Sequence, residues 1–236
     1  MNKQEFEQKL TELCPWVNQE TFDLFEKYKQ FIQNENQKHN LTRLADEDKI
    51  YQSYFLESLI PYLNISLLNE NSEMSLLDIG SGSGIPGVVL KIVFRNLKVC
   101  LLDSNKKKTD FLEQLIKELG LQEITVIYSR AEEYVQTNYE SFDIVTSRAV
   151  SSLYKILELS TGYAKVDGII IQPKSLKADE ELKEATGTIK TLDLKMLEKI
   201  EYNFYDHQHT VFVFSKLKPT NRKYPRTWQQ ILKKPL

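Results

Sequence analysis

From Ser75 onward the chain alternates short apolar runs with segments of helical period, and this alternation constrains the fold more than any other feature. The runs Ser75–Ile79, Lys98–Leu102, Ile124–Tyr128, Phe142–Thr146 and Ile169–Ile171 are largely apolar, as strands buried on both faces are. Between them lie amphipathic segments. The clearest is Lys106–Leu119, where Phe111, Leu112, Leu115, Ile116 and Leu119 share one face. Such strands, separated by helices, predict a parallel sheet covered on both sides. A late pair near Leu192–Ile200 and Thr210–Ser215 has no helix between its members and predicts an antiparallel hairpin at one edge. The expected fold class is α/β: a Rossmann-like, mostly parallel seven-stranded sheet with a terminal antiparallel hairpin.

Upstream the period is helical. Phe22, Phe25, Tyr28, Phe31 and Ile32 recur at threes and fours. Tyr51, Tyr54, Phe55, Leu59 and Ile60 repeat the pattern before Pro61, which is expected to stop it. Asn40-Leu-Thr-Arg43 reads as the connector between these helices. The expected organisation is a helical N-terminal extension over 1–65, an α/β domain over 66–218 and a basic C-terminal tail over 219–236. A length of 236 residues suits one substantial core rather than two.

Val211–Leu236 holds seven basic residues (Lys216, Lys218, Arg222, Lys223, Arg226, Lys233, Lys234) and no acidic one, while the whole chain carries a net charge of -2. A basic strip on an acidic body suits contact with a polyanion or serves only to keep the chain soluble. No run approaches the length of a membrane span, and the N-terminus lacks the apolar core of a signal peptide. Two cysteines, Cys14 and Cys100, make no disulfide framework. A cytoplasmic location without a membrane partner fits these features.

The first apolar run leads into Leu76-Leu-Asp-Ile-Gly-Ser-Gly-Ser-Gly-Ile-Pro-Gly87. Glycines at 80, 82 and 84 let the backbone turn tightly and let a ligand press against it. Pro86 suits the start of a helix. Two ligands compete for this loop. Gly82-x-Gly84-x-x-Gly87, followed by Asp103, matches the dinucleotide fingerprint. Asp78 argues against it, because a carboxylate near the strand tip repels a pyrophosphate. The same carboxylate favours the ammonium and sulfonium of S-adenosylmethionine, and Asp78-x-Gly80-x-Gly82-x-Gly84 is the pattern of that cofactor. Asp103 would hold ribose hydroxyls with either ligand.

The remaining strand tips complete the expected site. Ser129-Arg-Ala-Glu-Glu133 follows the third strand, where Ala131 N–H and Glu132 are placed to read an adenine. Acidic residues at a helix start are also favoured by the helix dipole alone. The fourth strand ends at Thr146-Ser-Arg-Ala149, without the proline turn usual in enzymes that methylate exocyclic amines. Neither cysteine stands at a strand tip, which disfavours a thiolate adduct on a pyrimidine. Arg148 and Lys174 supply cations instead, and they are the candidate catalytic residues. Such a site suits a nucleophile with no proton to lose, such as guanine N7. A salt bridge from Arg148 to Glu132 or Asp143 is the competing reading. His207 and His209 lie near Asp206, but without a nearby cysteine or third histidine no metal is expected. Lys106-Lys-Lys108 is ill-placed for a helix dipole and suits phosphate contact or a solvated face.

These residues together resemble the bacterial small-subunit ribosomal RNA guanine-N7 methyltransferase G family, also called glucose-inhibited division protein B. The resemblance runs from Asn36-Gln-Lys-His-Asn-Leu-Thr42 to near Phe214. It rests on Asp78–Gly87, Leu101-Leu-Asp-Ser104 with Lys107 and Phe111-Leu112, Ser129-Arg130 with Glu132-Glu133, and Ser147-Arg-Ala149. It implies the class I methyltransferase form of the Rossmann-like fold and S-adenosylmethionine contacts from Gly80, Ile85, Ala131, Glu132 and Arg148. It also implies methylation of a guanine N7 in a decoding-region loop of 16S rRNA, within the small ribosomal subunit. Three departures stand out: Lys174-Ser175 replaces the family's Lys-Gly, Tyr54 and Glu57 replace its His and Asp, and the basic tail reads as longer than usual. A small-molecule methyltransferase with the same cofactor, and a non-catalytic ribosome- or RNA-binding module, remain the alternative readings.

Overall fold

The computed structural model describes residues 1–39, 47–63, 65 and 68–236. Helices α1 (Lys3–Leu13) and α2 (Gln19–His39) lead. Asn2 caps α1 reciprocally: its side chain accepts from Glu5 N–H while the Glu5 carboxylate accepts from Asn2 N–H. The expected connector at 40–43 lies outside the described residues. Next come α3 (Glu47–Lys49), a π-helical turn (Ile50–Leu56) and α4 (Glu57–Leu63). The sequence pattern places a helix stop at Pro61, but Pro61 lies within α4. The hydrogen bond it forgoes is outweighed by burial, since Ser58, Leu59, Pro61 and Tyr62 are all buried.

The alternating part follows as β1 (Ser75–Ile79), α5 (Gly87–Val93), β2 (Lys98–Asp103), α6 (Lys106–Leu119), β3 (Ile124–Tyr128) and α7 (Ala131–Tyr134). It continues as β4 (Phe142–Thr146), α8 (Leu153–Tyr163), β5 (Ala164–Lys174), α9 (Ala178–Glu184), α10 (Thr186–Thr191), β6 (Leu194–Phe204), β7 (His207–Lys216) and α11 (Trp228–Lys233). One seven-stranded sheet runs in the order β3-β2-β1-β4-β5-β7-β6. Strands β1 to β5 are parallel, and β7 is antiparallel to both β5 and β6. The hairpin is therefore at an edge, but its second strand is the inner one. Val211-Phe-Val-Phe214 is buried throughout, whereas most of β6 faces solvent. The continuous apolar strand goes inside and the polar one takes the edge. Strand β5 is longer than its Ile169–Ile171 kernel because the ladder with β7 carries it on to Lys174.

Alternation along the strands divides the core into two layers. Leu76, Leu101, Ile169 and Ile171 face α5, α6 and the N-terminal helices. There Phe6, Phe25, Tyr28 and Phe55 interlock, with Phe25–Phe55 ring centroids 4.9 Å apart and Tyr28–Phe55 centroids 5.0 Å apart. Leu77, Val145 and Ile170 face the opposite side, against α8 and Ile231 from the C-terminus.

The C-terminal segment is docked rather than a free basic strip. Lys216 is fully buried between the Glu140 carboxylate and Ala164 O. Arg226 forks onto Glu158 of α8, and Lys218 pairs with Asp193. Three of the seven cations are thus paired within the molecule: burial beside α8 and β5 requires it of Lys216 and of the Arg226–Glu158 pair, while Lys218–Asp193 is an exposed surface pair. No helix among the described residues is long and apolar enough to cross a membrane.

Candidate functional site

The strand order reverses between β1 and β4, and the crevice opens at the carboxyl ends of the parallel strands, where such sheets bind ligands. The loop after β1 is fastened to β2: Gly80 N–H and Ser81 N–H both donate to Leu102 O, at 2.7 and 3.2 Å. Gly82 N–H donates to Asp103 Oδ2 at 2.9 Å. From the other side the Tyr28 hydroxyl, on α2, donates to Ser83 O. The N-terminal helices therefore help to shape the loop.

The three alternate glycines serve different neighbours. All adopt positive φ (Gly80 72°, Gly82 59°, Gly84 95°), a region costly for residues with a Cβ. A Cβ at Gly80 would lie 2.6 Å from Val150 Cγ2, and one at Gly84 would lie 2.6 Å from Val88 Cγ2 and 2.7 Å from the Tyr28 hydroxyl. Those two glycines make room for the protein's own side chains. At Gly82 the nearest atoms to a Cβ are 3.8 Å away, the Gly80 carbonyl oxygen and Lys108 Nζ. Gly82 is the position that leaves space for a ligand.

A cavity of about 640 Å³ lies over this loop, within the range of small-molecule sites. Gly80, Ser81, Gly82, Ser83 and Ile85 form its floor and Asp103 and Ser104 one end. Arg148, Ala149 and Val150 approach from β4, and Ile32, Ser53 and Tyr54 come from the N-terminal helices. A smaller cavity of about 120 Å³ shares Gly80, Asp103, Ser104 and Val150, and continues past Ser129, Ala131 and Glu132 to Trp228. The two adjoin at these shared residues, and together they suit a ligand with a nucleoside at one end and a polar chain at the other. Asp103 Oδ1 accepts from Asn105 N–H and Oδ2 from Gly82 N–H, so the carboxylate is held rigidly with lone pairs to spare.

Asp78 sits elsewhere than its sequence role implied. It is fully buried beneath the loop, is absent from the cavity wall, and accepts from Gly87 N–H at 3.0 Å. Its Oδ1 has no hydrogen-bond partner among the described residues, and burial, with Asp103 nearby, pushes its carboxyl up to about 7. The strand alternation that aims Leu77 at one core layer carries Asp78 into the space under α5. It braces the loop from inside.

Arg148 and Lys174 are not brought together. Arg148 lines the cavity and is oriented by Glu57 at 2.7 Å and Ser53 O at 3.2 Å, both from the N-terminal helices. Its partner is therefore neither Glu132 nor Asp143. Asp143 instead binds Lys165 at 2.7 Å. Lys174 lies outside the cavity wall, its ammonium held by Ser151 O at 2.7 Å and Glu181 at 2.9 Å. Glu181 also accepts from Leu153 N–H. Lys174 thus pins the loop after β4, and its charge is already paired, so it does not share a cationic site with Arg148.

Sequence reasoning missed Ser53, Tyr54, Phe111, Lys108 and Trp228 as lining residues. Lys108 was legible only as part of a charge run. The others required knowing which distant elements close over the crevice. Cys14 and Cys100 are both buried, and burial pushes the Cys14 thiol up to about 12. His209 stacks on Tyr202 at 5.2 Å, and no group of three or more His, Cys, Asp or Glu among the described residues is arranged to hold a metal ion.

Comparison with known proteins bears on this geometry. A family model described as rRNA small subunit methyltransferase G matches residues 21–209. Ribosomal RNA small subunit methyltransferase G of Ureaplasma parvum serovar 3 is 50% identical over 236 residues, 100% of both chains. Its counterpart in Malacoplasma penetrans is 41% identical over 87% of this chain and 86% of its own. The first of these alignments runs through the C-terminal segment, so that relative has a segment aligned with it. Among solved structures, Aeropyrum pernix fibrillarin in complex with natively bound S-adenosyl-L-methionine matches with a TM-score of 0.54 at 12% identity, covering 67% of this chain and 73% of that one. The fold is the Rossmann-like class I methyltransferase fold.

Proposed function

Because the chain belongs to the rRNA small subunit methyltransferase G family, we propose that it methylates N7 of a guanine in a decoding-region loop of 16S rRNA. S-adenosylmethionine is its cofactor, and the adjoining cavities at the tips of β1 to β4 are where the residues fit it. The space left at Gly82 and the rigid Asp103 carboxylate suit a ribose and its hydroxyls, and the Ala131–Glu132 turn suits an adenine. When bound, the cofactor supplies an electrophilic methyl group.

The protein's own contribution is position and charge. The titratable residues lining the main cavity are Tyr54, Asp103, Lys108 and Arg148. Asp103 is held by two backbone donors, one on each oxygen, and among the described residues no cysteine or histidine lines the cavity. This set carries the reading: among the described residues the wall offers two cations and several hydrogen-bond donors, and its one carboxylate is engaged by the backbone, which suits a nucleophile that gives up no proton. Arg148, fixed by Glu57 and Ser53, is placed to steady the guanine O6 and to align the base. Lys174 acts one step back, by holding the loop that carries Arg148. Guanine N7 faces the deep, narrow major groove of A-form RNA, so the target must be unpaired or splayed out before it reaches the cavity.

A second reading has one observation in its favour. Ile32, Ser53 and Tyr54 form a wall over the cavity, as expected of an enzyme that encloses a small molecule. The deciding experiment is methyl transfer from labelled S-adenosylmethionine to small ribosomal subunits from cells lacking the enzyme, with the modified nucleoside identified by mass spectrometry. Label in 7-methylguanosine, absent without RNA, is the expected result. Label in another nucleoside, or turnover without RNA, would sink the proposal, and cofactor binding without any transfer would point to a non-catalytic binding module.

A further inference from the structure

We infer that Trp228, carried by the C-terminal segment, is a wall of the adenine end of the cofactor site, so that docking of this segment and cofactor binding reinforce one another. The inference rests on the cavity being the cofactor site. It starts from the smaller cavity, which Trp228 and Leu159 of α8 line together with Ala131 and Glu132. Trp228 lies far along the chain from every other residue of that cavity, and it is delivered there by a built interface.

The segment is fastened along α8 at several points. Thr220 N–H donates to Glu140 and its hydroxyl to Thr161 O. Arg226 donates through its backbone N–H and Nε to Glu158 Oε1, and through an Nη to Glu158 Oε2, at 2.7 to 2.9 Å. Glu158 is 1% exposed, so a charge there requires the arginine. Thr227 then caps α11, and Ile231 in its last turn is fully buried. The end of the chain packs on Gly187, where a Cβ would come within 2.3 Å of Leu236 O. Trp228 is therefore held between the Arg226 anchor and the Ile231 plug, half-buried, with an apolar surface facing the cavity. An aromatic side chain beside a purine recovers surface that is otherwise wet, at little cost in side-chain freedom. Because the same residues hold the segment down, a bound adenine strengthens the docking and a released segment opens the site.

The test is calorimetric titration with S-adenosylhomocysteine, alongside intrinsic fluorescence, of the full chain and of Trp228→Ala and Trp228→Phe. The wild type is expected to bind and to change its emission on saturation. Trp228→Ala is expected to bind about tenfold more weakly, the scale of one aromatic face lost from a base. Trp228→Phe keeps an aromatic wall and is expected to bind within about twofold of wild type, yet to lose most of the emission change, since Trp16 lies on the far side of α5 against Phe94. Equal affinity of Trp228→Ala and wild type would overturn this inference and leave the cofactor reading intact. A wild-type chain that does not bind would overturn the cofactor reading itself.

Discussion

Arg148 and Lys174 read alike in the sequence, as two cations at neighbouring strand tips, but their surroundings separate them. Arg148 faces the cavity and is aimed by Glu57, while Lys174 is tied to Ser151 and Glu181 outside it. Arg148→Gln is expected to lower methyl transfer by about 100-fold or more, since it removes the charge proposed to steady the reacting base. Lys174→Gln is expected to cost about tenfold or less and to act by loosening the loop after β4. Single-turnover rates with both variants check this, and equal losses would contradict the assignment. The Glu57 departure also acquires a role, because its longer side chain reaches Arg148 across the join between helices and sheet. Asp78 makes a separate prediction. Burial raises its carboxyl to about 7, so the folded chain keeps a proton that the unfolded chain releases near pH 4. Its contribution to stability is therefore full below about pH 4 and lost as pH rises through about 7. Thermal melts from pH 4 to 8 should show wild type falling relative to Asp78→Asn across that window. Parallel curves would mean that Asp78 is already charged in the fold.

At the scale of elements, the C-terminal segment and α8 behave as one unit. The Arg226–Glu158 fork closes a nearly buried carboxylate, and removing one partner leaves the other charge stranded. Arg226→Ala is expected to cost about 2 to 4 kcal/mol in denaturant melts. The double variant Arg226→Met with Glu158→Leu should recover much of that, because the stranded charge is gone. A single variant as stable as wild type would show that the segment is not held by this pair. The same logic explains why basic residues that read as a solvent-facing strip were drawn inward. Lys216 is on the inner strand of the hairpin, whose second half is buried almost throughout, so its ammonium is buried and must be paired.

For the whole molecule, the proposed RNA substrate is best met by exposed cations that have no carboxylate partner within the fold. Lys106 pairs with Asp110, but Lys107 and Lys108 stand exposed beside the cavity, and Lys233 and Lys234 lie exposed at the end of the chain. Binding to small ribosomal subunits is expected to weaken steeply with salt, as released counterions no longer favour association. Lys107→Glu should reduce the slope of log affinity against log salt by about one unit and leave S-adenosylhomocysteine affinity unchanged. An unaltered slope would place the RNA on another face.

The sequence by itself determined the strand and helix alternation, the parallel sheet, the position of the glycine loop and the Asp103 tip, because these depend on local period and backbone chemistry. Helix α6 and strands β1, β3 and β4 end where the apolar pattern ends. The order of the hairpin strands was not among these, although the unbroken run Val211-Phe-Val-Phe214, beside the polar run before it, matches the inner place that β7 takes. Only the tertiary structure decided what each cation does and which residues close the cavity. Glu57 meets Arg148 across 91 residues of chain, and Arg226 meets Glu158 across 68. Such pairs leave no periodic trace, because a salt bridge between distant elements depends on where two surfaces meet rather than on the spacing within either one. Asp78 illustrates the same limit within a single motif. Its residue type announces a charge, but the burial that raises its pKa and turns it from ligand contact to brace exists only once α5 has packed over it.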